Sequence, residues 1–450
     1  MSFRTPLVAA MVGALLMVDA TAAVAAPDPV DRDDTVGWQS TVDSPDPARS
    51  VVDGRLRTAT SSVAARKKVH TVQVVVATPR GVSEARVRRW IRDRDVDKLL
   101  RRVSGYWSEQ SGGKITVVRS GAVRRSTISD PACRTTKQTI RQVKRAGSKH
   151  YGAGWYHAAD RGPGPRSHLV VLHPYVKGDY PGGKRWGTTC DGTIGLGSLP
   201  SKAGRNSPGG WTFSLFGGPN GSAKADRWTN AQYRRGVATL AHELGHNMGL
   251  EHSGAGWCAD KRDGYFRSSR CHALEGMDQL DLMGADFVSR GVTSLSGAQK
   301  RRLGVLPSSK QRYVTAKGGA RTVWISARDR TSSRPTLLRV RDPRSNQVYF
   351  VELRRNEPGV SYPWAPLPFR AASGFTMHYG VTVSRVAGGR STWAYRGEHL
   401  IVPLGTSTRR RSTLREGASF TTRTGRLRIK VVDVTAGKKS AKIRITFPRR

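Results

Sequence analysis

The run VATLAHELGHNMGLEHSGAG, residues 237–256, constrains the local fold more than any other stretch of the chain. Val237, Leu240, Ala241, Leu244 and Met248 recur at helical spacing and form an apolar stripe suited to packing on a sheet. Ala238, His242 and His246 follow a second line of the same helix. Residues four apart lie about one turn, ~6 Å, above one another on one face. Thr229 followed by Gln232 is a capping-box pattern for the helix start. Gly249 can adopt the left-handed backbone that ends a helix, so the chain turns back and His252 can approach the first two histidines.

Two imidazoles one turn apart can share a zinc ion, with Zn–N near ~2.0–2.1 Å. His242, His246 and His252 would make three ligands and leave a fourth position open for water, as in catalytic sites. Glu243 follows the first ligand and is placed to take a proton from that water and deliver it to a leaving amine. Glu251 falls outside the pattern and reads as a surface or salt-bridging residue. The alternative is a set of histidines with no ligand role. The short H-E-x-x-H pattern discriminates moderately between the two; Gly249 and His252 make the long pattern specific.

The full pattern, His242-Glu243-x-x-His246-x-x-Gly249-x-x-His252, resembles that of the metzincin zinc endopeptidases. Those proteins carry a downstream Met-turn, and LDLMGAD (280–286) supplies a counterpart, with Met283 31 residues after His252. Within the clan the chain is most similar to bacterial gametolysin-type peptidases, through SGYWSEQSGGKITV (104–117), the DLMG form of the turn and LSGAQKRRLGVL (295–306) as a closing helix. The resemblance spans residues 66–307 and implies an α+β fold. Its parts would be a twisted, mostly parallel sheet, an active-site helix, the Met-turn and a C-terminal helix. It further implies Zn2+ on His242, His246 and His252, Glu243 as general base, and a protein or peptide substrate cleaved by attack of a zinc-bound water. GTIGLGSLP (192–200) would be the edge strand along which an extended peptide adds. The segment after Met283 would line the pocket beyond the scissile bond. Ala285 stands where astacin-like members have a tyrosine, so no tyrosine switch is expected. No cysteine precedes Cys133, so a cysteine latch is not expected either; an acidic latch from residues 28–53 stays open.

The rest of the 450 residues divides by composition. Residues 1–25 read as a signal peptide: Arg4, a short apolar run and a small-residue cleavage site. A secreted, extracellular protein with no transmembrane segment in its mature form is therefore expected. Residues 26–65 are acidic and rich in Pro, Asp and Ser, which suits a pro-segment or a plain linker. Residues 66–310 would be the peptidase domain, in which HTVQVVVATPR (70–80) and SHLVVLHPYV (167–176) read as strands. Val96, Leu99, Leu100, Val103 and Trp107 mark a helix whose start holds Asp93, Asp95 and Asp97; those aspartates lack the glycine and glutamate of a calcium loop. Residues 135–147 read as a further helix.

From residue 311 to 450 short strands follow at near-regular spacing, among them TVWISA, TLLRVRD, VYFVEL, LRIKVVDV and AKIRITF, which argues a β-sandwich-like accessory domain. The four cysteines allow three pairings. The short loop favours Cys258–Cys271, which leaves Cys133–Cys190.

The net charge of +43 attracts polyanions. No nucleic-acid-binding signature is present, so anionic cell-wall polymers are the better candidate partners, beside the plain reading of an arginine-heavy surface. Two functional alternatives follow: a cationic cell-surface or cell-wall-binding protein with a vestigial peptidase domain, and a zinc peptidoglycan hydrolase.

Overall fold

A computed structural model describes residues 67–79, 82–128, 136–151, 166–175, 195–200, 204–217, 230–258, 263, 271–274, 278, 281–284, 293–330, 332–355, 369–370, 376–377, 380–387, 399–406 and 413–448. All of them belong to one compact unit, Asp46–Arg450. The expected signal peptide (1–25), the acidic segment (26–65), Cys133, Cys190, Thr229 and Ala285 lie outside the described residues. The architecture is mixed α/β with several sheets, as the α+β expectation requires.

The first sheet contains β1 (Lys68–Pro79), β2 (Ile115–Arg119), β3 (Arg124–Ile128), β4 (Ser167–Tyr175), β5 (Gly195–Gly197) and β6 (Gly209–Gly217). Its order is β2-β1-β4-β6-β5, with β3 also on β1. Every pairing is parallel except β5 on β6. Val72, Val74 and Val76 face a core made with α2 (Asp93–Gln110) and α4 (Asn230–Asn247). Val75 and Ala77 face Val143 and Ala146 of α3 (Thr136–Tyr151). Burial on both faces explains why the β1 sequence is continuously apolar rather than alternating. The short α1 (Glu84–Trp90) adds Val87 to the first of these cores.

Next come β7 (Ser253–Cys258), β8 (Cys271–Leu274) and α5 (Gly297–Arg302). They are followed by β9 (Gln311–Val314), β10 (Arg321–Ser326), β11 (Leu337–Arg341), β12 (Val348–Arg354), β13 (Phe369–Arg370) and β14 (Thr376–Met377). The chain closes with β15 (Gly380–Ala387), β16 (His399–Thr406), β17 (Ser419–Thr421), β18 (Arg428–Val434) and β19 (Ser440–Thr446). A four-stranded sheet, β10-β19-β18-β17, faces a seven-stranded one, β8-β7-β16-β15-β12-β11-β9. Val323, Ile443 and Ile429 from the first, and Val340, Val351 and Val383 from the second, share one core. This is a two-sheet sandwich.

Two of the seven strands, β7 and β8, come from before residue 310, so the sheet crosses the boundary expected there. The sequence SGAGWC of β7 is too rich in small residues to read as a strand, and it is one because β16 pairs with it in parallel. The Cys258–Cys271 disulfide is present and closes the β7–β8 hairpin. No helix among the described residues is long and apolar enough to cross a membrane.

The three aspartates at 93, 95 and 97 do open a helix, α2. Asp93 pairs with Arg125 at 2.7 Å and Asp97 with Arg119 at 3.0 Å, tying the helix to β3 and β2. Asp95 is buried, pairs with Arg92 at 2.7 Å and accepts the Tyr233 hydroxyl of α4 at 2.8 Å. Burial pushes its carboxyl up, but the hydrogen bonds from Arg92 and Tyr233 outweigh that and hold it below the ordinary value. Such a group stabilises the fold above its unfolded pKa, ~3.9, and loses that contribution as pH falls through the depressed folded value. Asp95→Asn is expected to cost ~1.5–3 kcal/mol at neutral pH. Urea titrations should show the gap to wild type narrowing below about pH 4.

Candidate metal centre

Helix α4 delivers the site from its last two turns. Val237, Leu240, Ala241, Leu244 and Met248 are all buried against the sheet and α2, which fixes the helix's rotation. His242, Glu243 and His246 are buried as well. The helix ends at Asn247, and Gly249 adopts φ 81°, so the chain reverses and His252 returns beside the helix.

The three imidazoles converge. Nε2 of His252 lies 3.0 Å from Nε2 of His246 and 3.2 Å from Nε2 of His242. Nδ1 of His242 donates to the Leu282 carbonyl at 2.8 Å, and Nδ1 of His246 to the Leu250 carbonyl at 2.8 Å. A carbonyl can only accept, so those two rings carry their proton on Nδ1 and present a bare lone pair on Nε2. Burial, then the neighbouring rings of His246 and His252, pushes the His242 pKa well down, and burial lowers His252 to about 4. Neutral rings with lone pairs aimed at one point are the donor set a metal cation needs. A tetrahedral ion at Zn–N ~2.0–2.1 Å requires nitrogens roughly 3.4 Å apart, close to what the rings present. Among the described residues these three form the one group of histidine, cysteine or acid side chains placed to hold a metal.

Glu243 sits beside this group, and burial pushes its carboxyl well above the ordinary value. Strand β5 covers it. A Cβ on Gly195 would stand 2.8 Å from Cδ of Glu243, and one on Gly197 would stand 2.6 Å from its carbonyl oxygen and 2.9 Å from Cβ of His246. A side chain at 197 would meet backbone, and one at 195 would displace the Glu243 carboxyl itself. Met283 is fully buried, and a Cβ on Gly245 would be 2.6 Å from its Sδ, so the turn packs directly under the helix. Glu251 stands apart from the rings, with a carboxylate oxygen 4.0 Å from Arg302.

Asn247 is a residue the spacing argument passes over. Its Nδ2 donates to the carbonyls of Ser198 and Trp211, both at 2.9 Å, and so pins the end of α4 to the strand edge above Glu243. Its Oδ1 accepts from Nδ1 of His168 at 3.1 Å. His168 in turn meets His70 at 2.9 Å, and His70 Nε2 meets the Arg205 carbonyl at 3.1 Å. Satisfying all three contacts needs three ring protons on two imidazoles, hence one shared positive charge. Burial opposes that charge and lowers His70 to about 4 and His168 to about 3. These two histidines thus have the structural role expected for those outside the motif. His173 is buried too, and the side chains of His150, His157, His272, His378 and His399 lie outside the described residues. Asn247→Ala would orphan the Ser198 carbonyl and the His168 donor, while the Trp211 carbonyl keeps the Ser198 N–H at 3.0 Å. It should cost ~2–4 kcal/mol in denaturant titrations.

No protein-family model matches the chain, and no curated protein matches it. Among solved structures the chain is similar to OgpA from Akkermansia muciniphila. Against the wild-type crystal structure the identity is 12% and the TM-score 0.30, over 87% of this chain and 96% of that one. Against catalytically inactive OgpA in complex with an O-glycopeptide (glycodrosocin) substrate the identity is 12% and the TM-score 0.29, over 65% of this chain and 73% of that one.

Proposed function

We propose that the chain is a secreted zinc-dependent endopeptidase of the metzincin kind. The observation that carries this reading is the convergence of three imidazole Nε2 atoms, two of them on buried rings, beside a buried glutamate. Zinc held by His242, His246 and His252 would supply Lewis acidity toward a peptide carbonyl and acidify a water molecule. Glu243 is the residue that handles the proton. Its carboxylate takes one from the attacking water and passes it to the leaving amine. Burial raises its proton affinity, which suits a group that must hold that proton between the two transfers. Strand β5 is the last strand of its sheet among the described residues and runs antiparallel to β6. Its open backbone edge, level with Glu243, supports the reading that an extended peptide adds there as a further strand. The glycines at 195 and 197 let that edge approach the glutamate without side chains intervening.

Casein hydrolysis by the mature protein should be abolished by a chelator and restored by zinc. Glu243→Ala should lower kcat by at least a hundredfold with zinc still bound, a loss of the size expected for a general base. Undiminished activity in Glu243→Ala would remove the assigned mechanism. Turnover of purified cell wall but not of casein would favour the peptidoglycan hydrolase.

A specific observation also supports an anionic partner for the sandwich. The solvent face of its four-stranded sheet carries Arg428, Lys430, Lys442 and Arg444. Lys430 is directly opposite Arg444 across β18 and β19, a like-charge pairing that costs stability. Among the described residues no carboxylate forms an ion pair with any of the four. Lys430→Glu combined with Arg444→Glu should elute earlier from an anionic-polysaccharide column and show a shallower salt dependence. Unchanged elution would count against this face.

A further inference from the structure

Strand β12 has two faces. Tyr349, Val351 and Leu353 point into the sandwich core. Glu352 and Arg354 point the other way, yet both are buried, at 3% and 2% exposure. What buries them is the segment around the Met-turn. Arg354 makes a two-pronged ion pair with Asp278, Nη1 to Oδ1 at 2.9 Å and Nη2 to Oδ2 at 3.1 Å. Its Nε donates to Glu352 at 2.6 Å. The other Glu352 oxygen accepts the backbone N–H of Gly297 at 2.7 Å, at the start of α5.

From these two residues the connection to the histidines is short. The Asp278 carbonyl accepts the N–H of Asp281 at 3.0 Å. The Asp281 carboxylate accepts the N–H of Met283 at 2.9 Å and the N–H of Ser296 at 2.8 Å. The intervening residue, Leu282, presents the carbonyl that orients His242. Ser253, next to His252, donates its N–H to the Met283 carbonyl at 2.8 Å, and its own carbonyl accepts from Asp278 at 3.1 Å. The orientation of one ring and the backbone next to another therefore depend on a loop whose buried anchor is a cation on the sandwich.

We propose that Arg354 and Glu352 are positioning residues for the histidine site, so that the β-sandwich is a structural part of the metal centre. This rests on the metal reading above. Neither residue touches the histidines; each acts by fixing the loop that holds Leu282 and Met283. Partners that orient metal-ligating histidines typically change metal affinity by ~10–100-fold when removed.

The test is zinc and cobalt affinity of the full-length mature protein, measured by competition with a chromophoric chelator. Arg354→Lys keeps the charge and loses the planar fork; Asp278→Asn keeps the shape and removes the counter-charge. Arg355→Lys is the control, since Arg355 pairs with Asp329 at 2.6 Å within the sandwich. Arg354→Lys and Asp278→Asn should bind metal at least tenfold more weakly and alter the visible absorption of bound cobalt. Arg355→Lys should lose stability alone. In the wild type, zinc should slow hydrogen exchange at the Gly297 amide, because coupling between two sites is reciprocal; this arm needs no variant to fold. Equal affinities in folded variants, or an unchanged Gly297 amide, would overturn the proposal while leaving the metal reading intact. A wild type that binds no zinc would overturn the metal reading itself.

Discussion

Nε2 of His252 comes within 3.2 Å of Nε2 of both His242 and His246, and the latter two atoms carry a bare lone pair because Nδ1 of each ring is committed to a carbonyl. The surrounding structure imposes this arrangement. The apolar stripe of α4 sets the rotation of two rings, and the reversal at Gly249 returns the third. The Leu282 and Leu250 carbonyls then place protons on the outer nitrogens of His242 and His246, which leaves the inner ones bare. Each of these is a modest interaction. Their joint effect is to hold His242 and His246, since turning either ring would break a buried hydrogen bond.

Close packing around the cluster sets the second constraint. Two backbones pass where an alanine methyl would collide: β5 above Glu243 and the helix at Gly245 against Met283. Burial of this kind raises the proton affinity of Glu243 and depresses that of His242.

The parts legible in the sequence are those governed by a local period. Helical spacing placed Val237 to Met248 on the sheet and brought two histidines to one face; an isolated glycine marked the turn, and the aspartates at 93, 95 and 97 marked a helix start. The strand at VYFVEL was legible as well, but nothing local marks Glu352 and Arg354 as interior; their partners Gly297 and Asp278 lie 55 and 76 residues away. Asn247 was hidden in the same way, because its partners, Ser198, Trp211 and His168, are between 36 and 79 residues away in sequence. Strand β7 was missed because small residues carry little strand propensity, and parallel pairing with β16 overrides it.

The choice of a buried ion network as the junction between sandwich and loop follows from the loop's composition. Asp278, Asp281, Ser294 and Ser296 are all buried there, and such residues gain little from apolar burial. Leu282, Met283 and Leu295 of the same segment join the apolar core, but contacts of that kind are non-directional. A guanidinium fork holds the segment in one position, since both Asp278 oxygens and one Glu352 oxygen must be met at fixed angles. Burial would raise Glu352, but the cations of Arg354 and Arg328 hold its carboxyl below the ordinary value. Burial and Asp278 push the Asp281 carboxyl up, against the pull of the Arg354 cation and of its own hydrogen bonds. Its two backbone donors, Met283 and Ser296, keep its oxygens in place. Desolvation of so many charges cancels most of their mutual attraction, so the network contributes little net stability. What it contributes is register: a loop that slid by one residue would leave Arg354 buried without its partner. The position of the Leu282 carbonyl under His242 is fixed by that penalty.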